Sequence, residues 1–223
     1  MSFNIVEHGL EQHPQFLDQS SVKTLIEDLQ QLPSEHPKHG LRNAEKKLKT
    51  VFELASSDRL TDFAARYLSD VPQIVRVIVF DKTVDKNWLV AWHQDKTISV
   101  SKHMDISGWG PWSIKDGQHH VQPDLAVLNS MITFRLHLDD ADECNGGLKV
   151  IPGSHKSGIL TKAEIDHTVL HSVPFICSAK SGDLLLMRPH LLHASSRAIT
   201  PGRRRIVHIE YSSYPLPEGL SWA

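Results

Sequence analysis

Trp92-His93-Gln94-Asp95 is the stretch around which this sequence is organised. Side chains alternate between the two faces of a β-strand, so His93 and Asp95 would point to the same side. Two histidines and one carboxylate make the three-ligand face that suits non-haem Fe(II). Taken alone the pair is a weak signal, because a chain with 15 histidines can contain it by chance. The third ligand must come from a distant strand.

A second stretch, Leu191-Leu192-His193-Ala194-Ser195, follows about a hundred residues later and offers that ligand in His193. The arginine run Arg203-Arg204-Arg205 lies just beyond it. The guanidinium eleven residues after His193 could hold a carboxylate next to the metal through a two-pronged, charge-assisted contact. The combination predicts a metal site with an anion-binding arginine beside it.

Composition describes an ordinary globular protein of 223 residues, with 40% hydrophobic and 22% charged residues. The net charge of -2 gives no reason to expect nucleic acid or an acidic membrane surface as a partner. Two cysteines are too few for a disulfide framework or a thiolate metal site. No stretch reaches the ~20 apolar residues of a membrane span, and no signal peptide is visible, so a cytoplasmic protein is expected.

The first 72 residues are expected to be helical after a polar surface segment of about 20 residues. Apolar residues recur at helical spacing from Ser21 to Leu32, from Asn43 to Ala55, and after Ser57. Arg42 lies between a loop and a helix start, where it could bond only backbone carbonyls or could reach the site.

Residues 73–213 carry a β texture of about eight strands, read as antiparallel from their turn spacing. This pattern predicts a mainly β, double-stranded β-helix (a jelly roll of the cupin-like kind) with the N-terminal helices packed on it. The whole chain is interpreted as one domain, with a tail at 214–223. The predicted strands are 73–80, 87–100, 125–128, 131–138, 148–151, 173–177, 183–187 and 205–211.

Three features suggest residues for a substrate. Thr97 shares the parity of His93 and Asp95. The connection 101–124 is long enough to be a lid, in which case Trp109 would close over a substrate; otherwise it packs the loop onto the barrel. Arg135 shares a strand face with two other polar residues, and that face is either a polar interior or a solvated exterior.

The chain resembles the phytanoyl-CoA dioxygenase family of Fe(II)- and 2-oxoglutarate-dependent oxygenases over about residues 73–213. The segments that carry the likeness are 92–95, the Asn145–His155 stretch ending in Ile-Pro-Gly-Ser-His, 182–195, and Arg203-Arg204-Arg205 with Tyr211. The resemblance implies Fe(II), 2-oxoglutarate and O2 as cofactors, and a small-molecule substrate of unspecified identity.

The same resemblance implies roles for single residues. His93, Asp95 and His193 would be the iron ligands, with His193 preferred to His190 because it stands two residues before a serine. Arg204 would bind the far carboxylate of 2-oxoglutarate, assisted by Ser195, and strand parity would turn its neighbours away. Gln94 would touch cosubstrate or substrate. A carboxylate at Asp95 favours hydroxylation, since related halogenases have a small residue there.

Two other functions remain open at this point. A zinc hydrolase also uses two histidines and a carboxylate, but it has no need of Arg204. A non-catalytic jelly-roll binding protein would have no need of the three ligands. An oxygenase that hydroxylates a C–H bond and releases succinate and CO2 is the preferred interpretation.

Overall fold

The computed structural model describes residues 3–32, 40–200 and 202–223. The strands in this part of the chain are β1 (Leu10–His13), β2 (Leu41–Arg42), β3 (Gln73–Lys82), β4 (Val90–His93), β5 (Ile98–Val100), β6 (Trp112–Lys115), β7 (Gln118–Val121), β8 (Met131–His137), β9 (Leu148–Val150), β10 (Phe175–Cys177), β11 (Leu184–Met187), β12 (His193–Ser195) and β13 (Arg204–Ser212). The helices are α1 (Gln19–Gln30), α2 (Ala44–Lys47), α3 (Lys49–Ala55), α4 (Asp58–Ala65), α5 (Leu125–Asn129) and α6 (Lys162–Leu170).

Two antiparallel sheets form the walls of the fold. The larger has the spatial order β1-β11-β8-β13-β3-β2, and the smaller has the order β10-β9-β12-β4. Side chains of β9, β11 and β1 meet between the sheets in one apolar cluster, which contains Leu10, Val150 and Leu185. A third sheet, β5-β7-β6, packs beside them together with the C-terminal residues around Leu220.

The outer face of the larger sheet is covered by the N-terminal helices. Leu25 of α1, Val51 of α3 and Leu60 of α4 pack in one cluster with the outward-facing residues of β3 and β13, such as Val77 and Ile209. Burial of aliphatic side chains at helical spacing is what stabilises these short helices. The predicted class, a mainly β jelly roll with N-terminal helices on it, is confirmed.

Three local predictions were wrong. Residues 10–13 form β1, which the sequence does not signal because its partner Leu184–Met187 lies far away in the chain. Residues 125–128 are helical, since four apolar residues fit either structure. The predicted helix 43–55 is broken at Leu48, whose backbone is extended. A fourth prediction, a loop over residues 33–40, stays a prediction, because all of these residues except Gly40 lie outside the described part of the chain.

The connection 101–124 is not structureless but contains the hairpin of β6 and β7. Its two-residue turn is Asp116-Gly117, and both residues have positive φ, 51° and 77°. Asp-Gly is a preferred pair for the type I′ turn, whose twist matches that of the strands. The sequence therefore held a hairpin signal inside the stretch that was interpreted as a loop.

Candidate active site

Strand alternation gives the larger sheet an apolar outer face and a largely polar inner face. On β3, Val77 and Val79 pack beneath the helices, whereas Arg76 and Lys82 line an internal cavity. On β8 the polar residues point inward, so the open question about Arg135 is settled in favour of a polar interior. The neighbouring strand β13 turns Arg204 and His208 to the same cavity.

The cavity between the two sheets has a volume of about 660 Å³. It brings together residues from both sheets and from the β6–β7 hairpin. The charged or titratable residues that line it are Arg42, Arg76, Lys82, His93, Asp95, Lys96, Lys115, Arg135, His193, Arg204 and His208. Arginine and lysine side chains therefore greatly outnumber carboxylates in the lining of the cavity.

The three residues that were predicted as metal ligands converge in the cavity. His93 and His193 are direct partners across β4 and β12, and Asp95 follows β4. The Nε2 atom of His193 lies 3.5 Å from Oδ2 of Asp95, and Nε2 of His93 lies 3.8 Å from Oδ1. Each histidine places its Nδ1 atom 2.8 Å from the carbonyl oxygen two residues before it, on Ala91 or Leu191.

Those backbone contacts determine which ring nitrogen is free. A carbonyl only accepts, so Nδ1 of each histidine carries the hydrogen and Nε2 presents its lone pair to Asp95. Burial, and then the neighbouring His193, lowers the pKa of His93, which favours its neutral form. Burial raises the pKa of Asp95, but the hydrogen bond and charge that a protonated His193 would supply, and then the charges of His93 and Arg76, outweigh it, so this pKa lies well below the usual range.

When both rings are neutral, two lone pairs and an ionised carboxylate face one another, which is the donor set of a divalent cation. Metal bonds of ~2.1 Å would place neighbouring ligand atoms ~3 Å apart, so the observed spacing needs only a small contraction. All three ligand atoms lie within 4.8 Å of one another. The residues fit Fe(II), and they would also fit Zn(II).

A second group with metal-ligand spacing, Asp95 with His208 and Glu210, is already engaged in its own contacts. Arg76 donates to Glu210 over 2.6 Å, and Arg135 donates to Nδ1 of His208 over 3.0 Å. Since arginine only donates, Nδ1 of His208 accepts, and its Nε2 hydrogen points to Glu210 at 3.2 Å. This buried chain orients the floor of the cavity, so the first group is the better metal site.

His190 does not reach the cavity. Its side chain is buried, and its ring lies 6.1 Å from that of His155. Neither of its ring nitrogens has a hydrogen-bond partner among the described residues, and burial lowers its pKa to about 4. His190, which was predicted to be the weaker candidate for the third metal ligand, is therefore a neutral histidine of the core.

The arginine run divides as strand alternation predicts. Arg203 is paired with Asp81 at 2.9 Å, and Arg205 with Asp139 at 2.6 Å, both away from the cavity. Arg204 is 4% exposed, lines the cavity, and makes no side-chain hydrogen bond or ion pair within the part of the chain that the structure describes. Burial, and then Arg135, lowers its pKa to about 10.

Lys82 is a site residue that the sequence analysis missed. It is the direct partner of Arg204 across β3 and β13, and it is only 4% exposed. Its Nζ donates to Ser195 over 2.9 Å and to the Ser196 carbonyl over 3.2 Å. Burial, and then Arg204, lowers its pKa to about 8. The only signal in the sequence was its parity with Arg76 on a strand that otherwise reads as buried.

Two predicted cosubstrate residues have other partners in the structure. Both amide hydrogens of Gln94 are donated to backbone carbonyls, on Gly158 and His190, and its oxygen accepts from the Leu160 amide. Gln94 nevertheless lines the cavity, so its contact with cosubstrate or substrate stays a prediction, while its amide is held by the backbone. The hydroxyl of Ser195 donates to the Gly146 carbonyl and accepts from Lys82, so it can assist Arg204 only through that lysine.

The three predicted substrate residues have different outcomes. Thr97 lines the cavity and accepts a hydrogen bond from Arg76 over 3.3 Å. Arg135 also lines it. Trp109 does not: it is buried in the apolar cluster between the third sheet and the C-terminal residues. Its placement in the substrate site was wrong, because the loop that carries it packs onto the barrel.

Two comparisons with known sequences point to the family that the sequence resembles. The model of the family described as phytanoyl-CoA dioxygenase matches residues 5–206. Phytanoyl-CoA dioxygenase 1 of Oryza sativa subsp. japonica is 34% identical over 98 residues, which cover 40% of this chain and 34% of the rice protein. The chain thus spans about a third of the length of this curated relative.

Solved structures share the fold at low identity. HygX from Streptomyces hygroscopicus, with nickel and 2-oxoglutarate bound, has a TM-score of 0.68 at 16% identity and covers 93% of this chain and 84% of its own. The epimerase SnoN, in complex with Fe3+, alpha ketoglutarate and nogalamycin RO, has a TM-score of 0.70 at 15% identity, with 98% and 82% covered.

None of the helices in the described ranges is long and apolar enough to cross a membrane. The family match extends over most of the 223 residues and includes His93, Asp95, His193 and Arg204. On this ground the chain belongs to the phytanoyl-CoA dioxygenase family.

Proposed function

We propose that this protein hydroxylates a C–H bond of a small molecule, with 2-oxoglutarate as cosubstrate and succinate and CO2 as products. The observation that carries the proposal is the convergence of three metal-ligand atoms and an unpaired, buried Arg204 in one cavity. His93, Asp95 and His193 would hold Fe(II). The proposal treats residues 1–223 as one domain.

The residues of this chain would bind, orient and shield the reactants. When bound together, Fe(II), 2-oxoglutarate and O2 supply the oxidising chemistry that converts a C–H bond into an alcohol. Arg204 offers a planar fork that matches a carboxylate, and Lys82 adds a second positive charge beside it. Phe80 and Ile78 on the same strand give the cavity apolar walls that exclude water.

The same arrangement argues against a zinc hydrolase. A hydrolytic site has no need of two buried cations without a carboxylate partner, and burying such charges costs several kcal/mol unless a ligand pairs with them. A second oxidative outcome is raised by the fold neighbours, since SnoN is described as an epimerase and SnoK as a carbocyclase. Hydroxylation is preferred because the family resemblance and the carboxylate of Asp95 both favour it.

Succinate release from 2-oxoglutarate tests the proposal. The purified protein with Fe(II), O2 and 2-oxoglutarate is screened with and without a metabolite library, and products are examined by mass spectrometry for a gain of one oxygen atom. We expect succinate above background only with Fe(II), and a stimulating compound that gains one oxygen. Hydrolysis of a library compound with Zn(II), without use of 2-oxoglutarate, would overturn it.

A further inference from the structure

A second cationic group lies in the cavity, apart from the pair of Arg204 and Lys82. Arg42 stands on the edge strand β2, opposite Ile78, and Lys115 ends strand β6 next to the hairpin turn. Both line the cavity that holds the metal ligands. Both also lie close enough to Arg76 for its charge to lower their pKa, after the larger effect of burial.

The sheet register locates this group relative to Lys82. Arg42 is opposite Ile78 on β3, which is four residues from Lys82, or about 13 Å at ~3.3 Å per residue. Asp95 lies close to His208, which is opposite Ile78, and to Glu210, which is opposite Arg76. The cavity therefore has two groups of cations at different levels of the sheet, and Asp95 lies near the level of Arg42.

Among the residues that the structure describes, neither Arg42 nor Lys115 has a counter-ion of its own. The carboxylates whose charge reaches them are Asp95, Asp116 and Glu210. Asp95 faces the two metal-ligand histidines, Asp116 is bound by Lys47, and Glu210 is bound by Arg76. No described residue makes a hydrogen bond or an ion pair with the side chain of either cation.

Half-buried cations without a partner are destabilising, because burial removes water from a charge that nothing replaces. The concentration of positive charge also affects His120. Burial, and then the charges of Arg76, Lys115 and Arg42, lower its pKa to about 4. Thr97 and Gln122 line the cavity as well and add neutral polar groups. Such a group is suited to an anion that arrives from solution.

We propose that Arg42 and Lys115 bind a carboxylate or phosphate group of the substrate, and so place its reacting carbon at the metal ligands. The proposal rests on the proposed function, and it names the substrate class of that site as a small organic anion. The dianion of 2-oxoglutarate is assigned to the other group, in which Arg204 and Lys82 offer a matching pair of charges. The two anions would then occupy the cavity together.

Binding of matched probes tests this assignment. Butyrate, butyl phosphate and the neutral butyramide are titrated by calorimetry into protein already saturated with Mn(II) and 2-oxoglutarate. We expect the anions to bind and the amide not to bind. The variant Arg42→Gln/Lys115→Gln should weaken anion binding at least ten-fold, with its 2-oxoglutarate dissociation constant within two-fold of wild type. Preference between butyrate and butyl phosphate identifies the group.

The control variant Lys46→Gln/Lys49→Gln removes the same charge from exposed positions of the helical region. It should leave anion binding unchanged, which separates local contacts from the overall field of the protein. Anion binding that survives in the Arg42/Lys115 variant, or equal binding of the amide, would overturn the assignment. Failure of the wild type to bind 2-oxoglutarate would instead count against the proposed function. Unfolding midpoints confirm that each variant is folded.

Discussion

His193 and His190 differ in the partner of each ring nitrogen. His193 donates Nδ1–H to a carbonyl and faces Asp95, whereas His190 lies in the core with both nitrogens unpartnered among the described residues. We therefore expect His193→Ala to lose most Fe(II) binding, as His93→Ala and Asp95→Ala should. His190→Ala should retain it. Iron per protein chain after anaerobic gel filtration gives the measurement, and loss of iron in His190→Ala alone would refute the third ligand.

Arg204 supports a prediction about cosubstrate affinity. Replacing it by alanine would leave a carboxylate buried without its fork, a change worth about 3 kcal/mol or more. We expect Arg204→Ala to raise the apparent 2-oxoglutarate constant by ~100-fold or more, and Arg204→Lys to raise it less. Iron affinity without cosubstrate should barely change. Arg203→Ala and Arg205→Ala are the matched controls, since each loses only its own aspartate partner.

Lys82 gives the site a pH dependence. Its pKa of about 8 means that the free protein loses this positive charge as the pH rises through that value. Anion binding beside Lys82 should be strongest below pH 8, and the 2-oxoglutarate dissociation constant should rise between pH 7.5 and 9. Lys82→Arg, which stays charged, should flatten the profile. Calorimetric titrations across this range measure both, and an equally steep profile in Lys82→Arg would assign the effect elsewhere.

For single residues, the sequence could predict a role in the site only where a short motif or the alternation of a strand indicated it. Strand parity predicted that His93 and Asp95 share a face, and the family resemblance implied His193 and Arg204; the structure brings all four to one cavity. Lys82 was not predicted, because nothing local shows that it would be opposite Arg204. The backbone partners of Gln94 were missed for the same reason, since they belong to residues 158, 160 and 190.

At the scale of the element, the long alternating strands were predictable and the short ones were not. β3 and β13 have ten and nine residues, and their alternation fixes the inner face of the sheet up to a register shift between Glu210 and Tyr211. Strands of two to four residues, such as β1 and β2, depend on their neighbours for stability. The edge strand β2 carries Arg42, so the least predictable element contributes to the proposed substrate group.

The connection of residues 101–124 supports a prediction about stability. Trp109 is 9% exposed in an apolar cluster, so Trp109→Ala should lower the free energy of unfolding by about 3 kcal/mol. The 2-oxoglutarate constant of the folded variant should stay within two-fold of wild type. Trp112→Ala, at a less buried position, should cost less. Urea unfolding and cosubstrate titration check both, and a changed constant without a loss of stability would restore the lid interpretation.

At the scale of the whole molecule, the site joins the two sheets. His93 and His193 belong to the smaller sheet, whereas Lys82 and Arg204 belong to the larger one. A cosubstrate that contacts both the metal held by the histidines and the Arg204–Lys82 pair would therefore connect the two sheets. Few local sequence signals report such an arrangement, because it depends on how one sheet faces the other.

This arrangement predicts that metal and cosubstrate stabilise the fold together. At a cosubstrate concentration of about 100 times the dissociation constant, binding adds about 2.7 kcal/mol to the free energy of unfolding. For a chain of this length that is a rise in Tm of about 5–10 °C. Arg204→Ala, whose constant should be ~100-fold higher, would bind at only about its own dissociation constant and rise by about 1 °C. Arg203→Ala should show the full rise, and a chelator should abolish it. Differential scanning calorimetry measures these shifts, and an undiminished rise in Arg204→Ala would place 2-oxoglutarate outside this cavity.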